Sequence, residues 1–181
     1  MKPEVSGPVQ TAPPAEIFTI GHSRASVEEL VALLQRHEVK MLVDVRARPH
    51  NAFVPQFNRD RMKMALLDAG IVYTYLGERL GRVPDGPSFT DREAVDFLQV
   101  EKSEPFRQGL DWLVEESRNT RLCLFCGEAE PHGCHRDFLI ARNLLTLGVR
   151  VLHILPDGRL EPALPDLFHL PPESHGNDPA S

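Results

Sequence analysis

The stretch "RLCLFC", residues 121–126, decides how this chain folds. A strand with one face in water alternates apolar and polar residues, but Leu122 to Cys126 is apolar at every position. So short a continuous run reads as a central parallel strand, covered by helices above and below. Immediately after it the character of the chain changes. "GEAEPHGCHR" (127–136) sets Glu128, Glu130, His132, Cys134, His135 and Arg136 within ten residues. That density raises three readings: a metal site, an activated thiol, or a solvated loop.

Outward from this point the sequence alternates between strand and helix signals. "IFTI" (17–20) is a short β-rich run; Ser26 with Glu29 then forms a capping box opening a helix with Val27, Leu30, Val31 and Leu34 on one face. "MLVDV" (41–45) is a second strand. Asn58 can then cap a helix in which Met62, Ala65, Leu66 and Ala69 share a face, ended by Gly70. "IVYTY" (71–75) is a third strand. An insertion over 76–92 precedes one or two helices between 93 and 118, with Phe106, Leu110, Leu113 and Val114 as their apolar stripe. The last helix is expected from about Cys134 to Leu147, before a strand in "VRVLHIL" (149–155) and a turn at Asp157 and Gly158. This alternation predicts an α/β fold, a three-layer open sheet of about five mostly parallel strands flanked by helices. A single α/β domain is expected over 16–160, between a flexible N-terminal tail, 1–15, and a proline-rich C-terminal tail, 161–181.

Composition narrows the function classes. With 181 residues, 41% of them hydrophobic, the chain is one ordinary globular domain with tails. A net charge of -6 argues against a basic coat for indiscriminate nucleic-acid binding, but leaves room for a local basic site. The three cysteines are odd in number and crowded between 123 and 134, unlike a disulfide framework, so a reducing, cytoplasmic location is expected. No apolar run approaches the roughly 20 residues of a membrane helix, and no membrane partner is expected.

In a parallel sheet the loops leaving the carboxyl ends of the strands share one edge, where ligands bind. "GHS" (21–23), "RARPHNAFVPQFN" (46–58), "LGERLGR" (76–82) and "GEAEPHGCHR" are those loops here. Between residues 44 and 63 lie Arg46, Arg48, Arg59, Arg61 and Lys63 against only Asp44 and Asp60. The rim is therefore positive on an acidic chain. Guanidinium forks suit carboxylate and phosphate oxygens, so the expected partner is an anionic small molecule or a nucleic-acid backbone.

Five motifs in this order, "TIGHS" (19–23), "LVDVRARP" (42–49), "PQFN" (55–58), "YTYLG" (73–77) and "CGEAEPHGCHR" (126–136), resemble the bacterial and archaeal family catalogued as domain of unknown function 488. The resemblance covers roughly residues 16–160 and implies no particular chemistry. A fainter resemblance is to rhodanese-like domains, through "LVDVR" and the cysteine that ends "LCLFC". It implies Cys126 as a sulfur-carrying nucleophile cradled by backbone amides.

Candidate chemistry follows from residue type and position. Glu128, beside an apolar strand, suits proton transfer; Cys126, His22 and His135 complete the candidate catalytic set. Cys126 reads equally well as a buried structural thiol. Arg46, Arg48, Arg136, Asn58 and Tyr75 are the candidate substrate-binding residues. If residues 134–136 are helical, successive side chains diverge by about 100°, so two of the three line the site and His135 or Arg136 pins the neighbouring loop instead. Asp44 is expected behind Arg46 or His22, orienting it, and Cys123 as a buried hydrophobe. Phe53 and Phe57 can stack on a base or cover the core. No cofactor is expected: Cys126, His132, Cys134 and His135 are all zinc-competent, with His22 as a recruit, but there is no second short-spaced ligand pair. The function expected is an enzyme acting on a phosphorylated or nucleotide-like anion. The alternatives are a non-catalytic nucleotide or nucleic-acid binding module and, more weakly, sulfur transfer through Cys126.

Overall fold

The computed structural model describes residues 15–22, 24–81 and 97–165. Most of both tails, Ser23 and the larger part of the expected 76–92 insertion, Arg82 included, lie outside the described residues. The chain runs β1 (Glu16–Gly21), α1 (Val27–Arg36), β2 (Met41–Asp44), a 3-10 turn (Pro55–Phe57), α2 (Arg59–Asp68), β3 (Val72–Tyr75) and α3 (Gly77–Leu80). After α4 (Phe97–Lys102) and α5 (Glu104–Ser117) come β4 (Leu122–Cys126), a π-helical segment (Arg136–Ala141), α6 (Arg142–Thr146), β5 (Arg150–Ile154) and β6 (Leu160–Pro162).

The strands form one sheet in the order β3-β2-β4-β1-β5-β6, of which the first five are parallel and β6 pairs antiparallel with β5. Helices cover both faces, as the unbroken hydrophobicity of β4 requires. Cys123 and Phe125 join the core beneath α1 and α2, with Leu34 and Leu66. Leu122 and Leu124 point the other way, into the core shared with Leu113 of α5 and Leu144 of α6. The sixth strand was not part of the sequence expectation. Its cause is the turn at Asp157 and Gly158, where Gly158 takes φ 80° and Leu155 N–H donates to Arg159 O at 2.9 Å, sending "LEP" back along β5.

Helix boundaries follow local chemistry in one place and depart from it in two. The capping box is present: Glu29 N–H donates to Ser26 Oγ at 3.1 Å, and Ser26 N–H to Glu29 Oε2 at 2.7 Å. Asn58 stands at the cap position of α2, but its carboxamide oxygen accepts from Asn51 N–H at 2.6 Å instead of capping. The last helix starts two residues later than expected and opens as a π coil, becoming α-helical only at Arg142. Such wide turns are rare and concentrate at functional sites.

The crossovers place α1 and α2 on one face and α5 and α6 on the other. Adjacent β1 and β4, with Gly21 opposite Cys126, thus feed helices on opposite faces. That divergence opens a crevice at their carboxyl ends, the position where open α/β sheets bind ligands. Replacing Ser26 by Ala removes the cap of α1 and is expected to cost about 1 kcal/mol, measured by urea unfolding monitored by circular dichroism.

Candidate functional site

The loop after β4 is held from below by Arg136. This side chain is fully buried, and its guanidinium donates to the carbonyls of Glu128 and, at 2.8 Å through Nη2, of Ala129. Gly21 makes room for it: a Cβ there would overlap the Glu128 carbonyl and press on Nη1 of Arg136. The loop therefore folds back over the end of β4, and Cys134, nine positions into "CGEAEPHGC", returns to Cys126.

Four polar side chains meet there. Cys126 Sγ lies 3.0 Å from Glu128 Oε2, 3.2 Å from Cys134 Sγ and 3.6 Å from His135 Nδ1. Cys134 Sγ is 3.2 Å from Glu128 Oε2 and 3.9 Å from His135 Nδ1. His135 Nε2 donates to the Val45 carbonyl at 3.1 Å, which turns Nδ1 toward the two sulfurs. Cys126 and Cys134 are each 3% exposed, whereas Glu128 closes the cluster from the solvent side. Of residues 134–136, two line the cluster and Arg136 pins the loop, its Nη1 3.9 Å from Cys134 Sγ.

The electrostatics divide the pair of thiols. Hydrogen bonding from Cys134 draws Cys126 down to about 6 against the effect of burial, with His135 assisting, and the shared proton holds Cys134 well above the ordinary thiol value. Burial pushes His135 down, but the adjacent Cys126 sulfur outweighs it and raises the imidazole above its ordinary value. Burial likewise raises Glu128, while the two thiols bonded to it hold the carboxyl low. Cys123, in mid-strand, is pushed up by burial and belongs to the core.

The second loop is anchored by its own buried ion pair. Arg46 donates to Asp44 Oδ1 at 2.9 Å and Oδ2 at 2.6 Å, and to the Phe57 carbonyl at 2.9 Å, with its guanidinium 4.5 Å over the Phe125 ring. Tyr73 Oη adds a 2.6 Å bond to Asp44. Asp44 thus orients Arg46, and Arg46 fastens the loop beside β4. Phe57 is buried and stacks on His22, ring centroids 4.1 Å apart, while Phe53 is 95% exposed. His22 N–H donates to the Cys126 carbonyl at 3.3 Å, so the two backbones are neighbours. Tyr75 Oη donates to the Ala47 carbonyl at 3.1 Å, and its ring carries the Arg59 guanidinium at 4.5 Å. Asn58 is spent on Asn51. Arg48 is exposed on the same rim.

Two cavities adjoin the cluster's edge of the sheet. One of about 570 Å³ is lined by His22, Arg24, Ala25, Glu29 and Ala129. The other, about 510 Å³, is lined by His50, Asn58, Arg59, Asp60, Lys63 and Tyr73. A larger one, about 700 Å³, lies at the opposite edge beside Glu16 and Arg121, away from the polar convergence.

A second network escaped the sequence reading. Thr19 Oγ1 is 2.7 Å from His153 Nδ1, His153 Nε2 is 3.1 Å from Asp137 Oδ1, and Asp137 Oδ2 is 3.1 Å from His132, which reaches Glu161 at 2.9 Å. It ties β1 and β5 to the π segment through Asp137. The legible signal was His153 amid the apolar "VLHIL", since a buried imidazole must find partners.

A family model described as "Domain of unknown function DUF488" matches residues 26–143, more than half of the chain. No curated protein and no solved structure matches it. Among the described residues, no helix is long and apolar enough to cross a membrane.

Arg136→Lys keeps the charge but loses the fork that reaches two carbonyls at once. Urea unfolding should show a loss of about 2–4 kcal/mol. A change below about 0.5 kcal/mol, the range of an ordinary surface substitution, would contradict the pinning role.

Proposed function

The chain belongs to the DUF488 family, and we propose that it is an enzyme whose reacting groups are Cys126, Glu128, Cys134 and His135 and whose substrate is a phosphorylated or nucleotide-like anion. One observation carries the reading: two thiols, a carboxylate and an imidazole lie within 3.0–3.9 Å of Cys126 or Cys134 at the switch point of the sheet. Aliphatic side chains would fill this space with less electrostatic cost. Packing alone gives no reason to gather them.

The proposed roles follow from exposure. Glu128 faces solvent and moves a proton between substrate and cluster, while Cys126 and His135 supply the polarised interior. Arg46 and Arg136 are committed to Asp44 and to loop carbonyls, so their charge reaches the substrate through the field they set up. The direct contacts to an anion are assigned, on exposure and charge, to Arg48 and to the cavity lined by His50, Arg59, Asp60 and Lys63, with Asn58 and Tyr75 shaping the loop behind them. His22 walls the neighbouring cavity.

The cationic cavity is also what a non-catalytic nucleotide-binding module would use, and that is the second reading. Sulfur transfer through Cys126 is weaker, because Glu128 Oε2 stands 3.0 Å from the sulfur on which an anionic persulfide would grow.

The test is a panel of nucleoside phosphates and small phosphorylated metabolites followed by phosphorus NMR. The wild-type chain should convert at least one, and Glu128→Gln and Cys126→Ser should each slow that conversion by about 100-fold or more while leaving the thermal midpoint within a few degrees. Unchanged turnover in both variants would contradict the enzyme reading. Binding without conversion, weakening with salt and unaffected by Glu128→Gln, would favour the module.

A further inference from the structure

We propose that Cys126, Cys134 and His135 bind a divalent zinc-class metal ion, with Glu128 over its fourth, solvent-facing position. The inference rests on the reading of this cluster as the reacting centre and names what the cluster holds. Its support is the arrangement of donor atoms. The ligand atoms of Cys126, Cys134 and His135 all lie within 4.8 Å of one another. Glu128 Oε2 completes a compact triangle with the two sulfurs, at 3.0 and 3.2 Å.

Hydrogen bonds join these groups, both thiols donating to Glu128 Oε2, and a dication that displaces the thiol protons engages all four donors at once. The edges of a zinc tetrahedron with thiolate and imidazole ligands are about 3.4–3.8 Å long, given bonds of roughly 2.0–2.3 Å. The sulfur–sulfur separation is 3.2 Å, and the two sulfur–nitrogen separations are 3.6 and 3.9 Å. Small side-chain rotations therefore convert one arrangement into the other, without moving the backbone.

The surroundings are those of a ligand set. A metal-binding histidine commonly donates its second ring N–H to a carbonyl, which fixes the tautomer, and His135 does so to Val45. Two thiolates and a carboxylate around a dication leave one excess negative charge, and the Arg136 guanidinium, 3.9 Å from Cys134 Sγ, offsets it. Two sulfurs and an imidazole favour zinc, cobalt or iron over magnesium or calcium, which take oxygen. Three protein ligands with a displaceable fourth describe a catalytic rather than a structural zinc site.

The sequence argument against a metal rested on the absence of a second short-spaced pair. Arg136 and Gly21 remove the need for one by folding the loop so that a seven-residue gap brings Cys134 back to Cys126.

The test is cobalt(II) titration of the chelator-treated full chain, followed by absorbance. One equivalent should produce the strong visible bands of a tetrahedral site and a near-ultraviolet thiolate-to-cobalt charge-transfer band, both displaced by one equivalent of zinc. Cys126→Ser and Cys134→Ser should each halve the charge-transfer band, the double variant should abolish it, and His135→Ala should weaken cobalt binding at least tenfold. Glu128→Ala should keep the charge-transfer band and alter the visible ones, showing that a well-folded variant still holds the ion through sulfur. Only weak octahedral bands, or a charge-transfer band that survives the double variant, would overturn the proposal. Because the readout is spectral, it separates from the enzyme reading. Cobalt bands with undiminished turnover in Glu128→Gln and Cys126→Ser would sink the enzyme alone, whereas lost turnover without thiolate bands would sink the metal alone.

Discussion

A buried guanidinium sets the terms for the rest of this structure. Leaving Arg136 unpaired in the interior would cost several kcal/mol, so the chain must bring oxygen atoms to it. Those bound are the backbone carbonyls of Glu128 and Ala129, which the loop after β4 presents by doubling back over the strand end. Gly21, on the neighbouring strand, has to lack a side chain for that path to be open. Once the loop is so placed, the thiols of Cys126 and Cys134 stand face to face and Glu128 lies over them. The polar convergence is thus a consequence of solving one burial problem.

The second loop repeats the solution with different groups. Asp44, fully buried at the end of β2, holds Arg46 by three hydrogen bonds, one from its backbone N–H, and takes a fourth from Tyr73. Arg46 in turn reaches the Phe57 carbonyl, and Phe57 stacks on His22. The ends of β2 and β1 are linked in this way, by ion pair, carbonyl and ring, across β4, whose Phe125 ring lies under the Arg46 guanidinium. Arg46 and Arg136 thus hold loops, while Arg48 and Arg59 are exposed on the same rim.

Local signals in the sequence were read with little loss. The unbroken apolar run of β4 announced its two helical coverings, and Ser26 with Glu29 announced the start of α1, because each feature depends on residues a few positions apart. The shared edge of the four loops followed from topology alone, since parallel strands leave no other place for them. The fate of individual side chains was less legible. Arg46 and Arg136 look like substrate clamps in sequence; the expectations that Asp44 orients Arg46 or His22 and that His135 or Arg136 pins the loop are resolved only by the fold, in favour of Arg46 and Arg136. Asn58 sits where a cap belongs, yet Asn51 competes for it successfully. The grouping of Cys126 with Cys134 and His135 depends on a folded-back loop that spacing rules do not anticipate. His153 is one polar residue in an apolar strand, and nothing near it in sequence names Asp137 as its partner.

The central claim, that the loop after β4 returns Cys134 to Cys126, can be read directly by mild diamide oxidation of the chelator-treated native chain and peptide mass mapping. Two thiols at 3.2 Å need only a small rotation to bond, each giving up a hydrogen to the diamide. The account predicts one intrachain bridge, Cys126 to Cys134, with Cys123 recovered as a free thiol. A bridge that includes Cys123, or Cys126 and Cys134 each recovered in bridges to different chains, would contradict it.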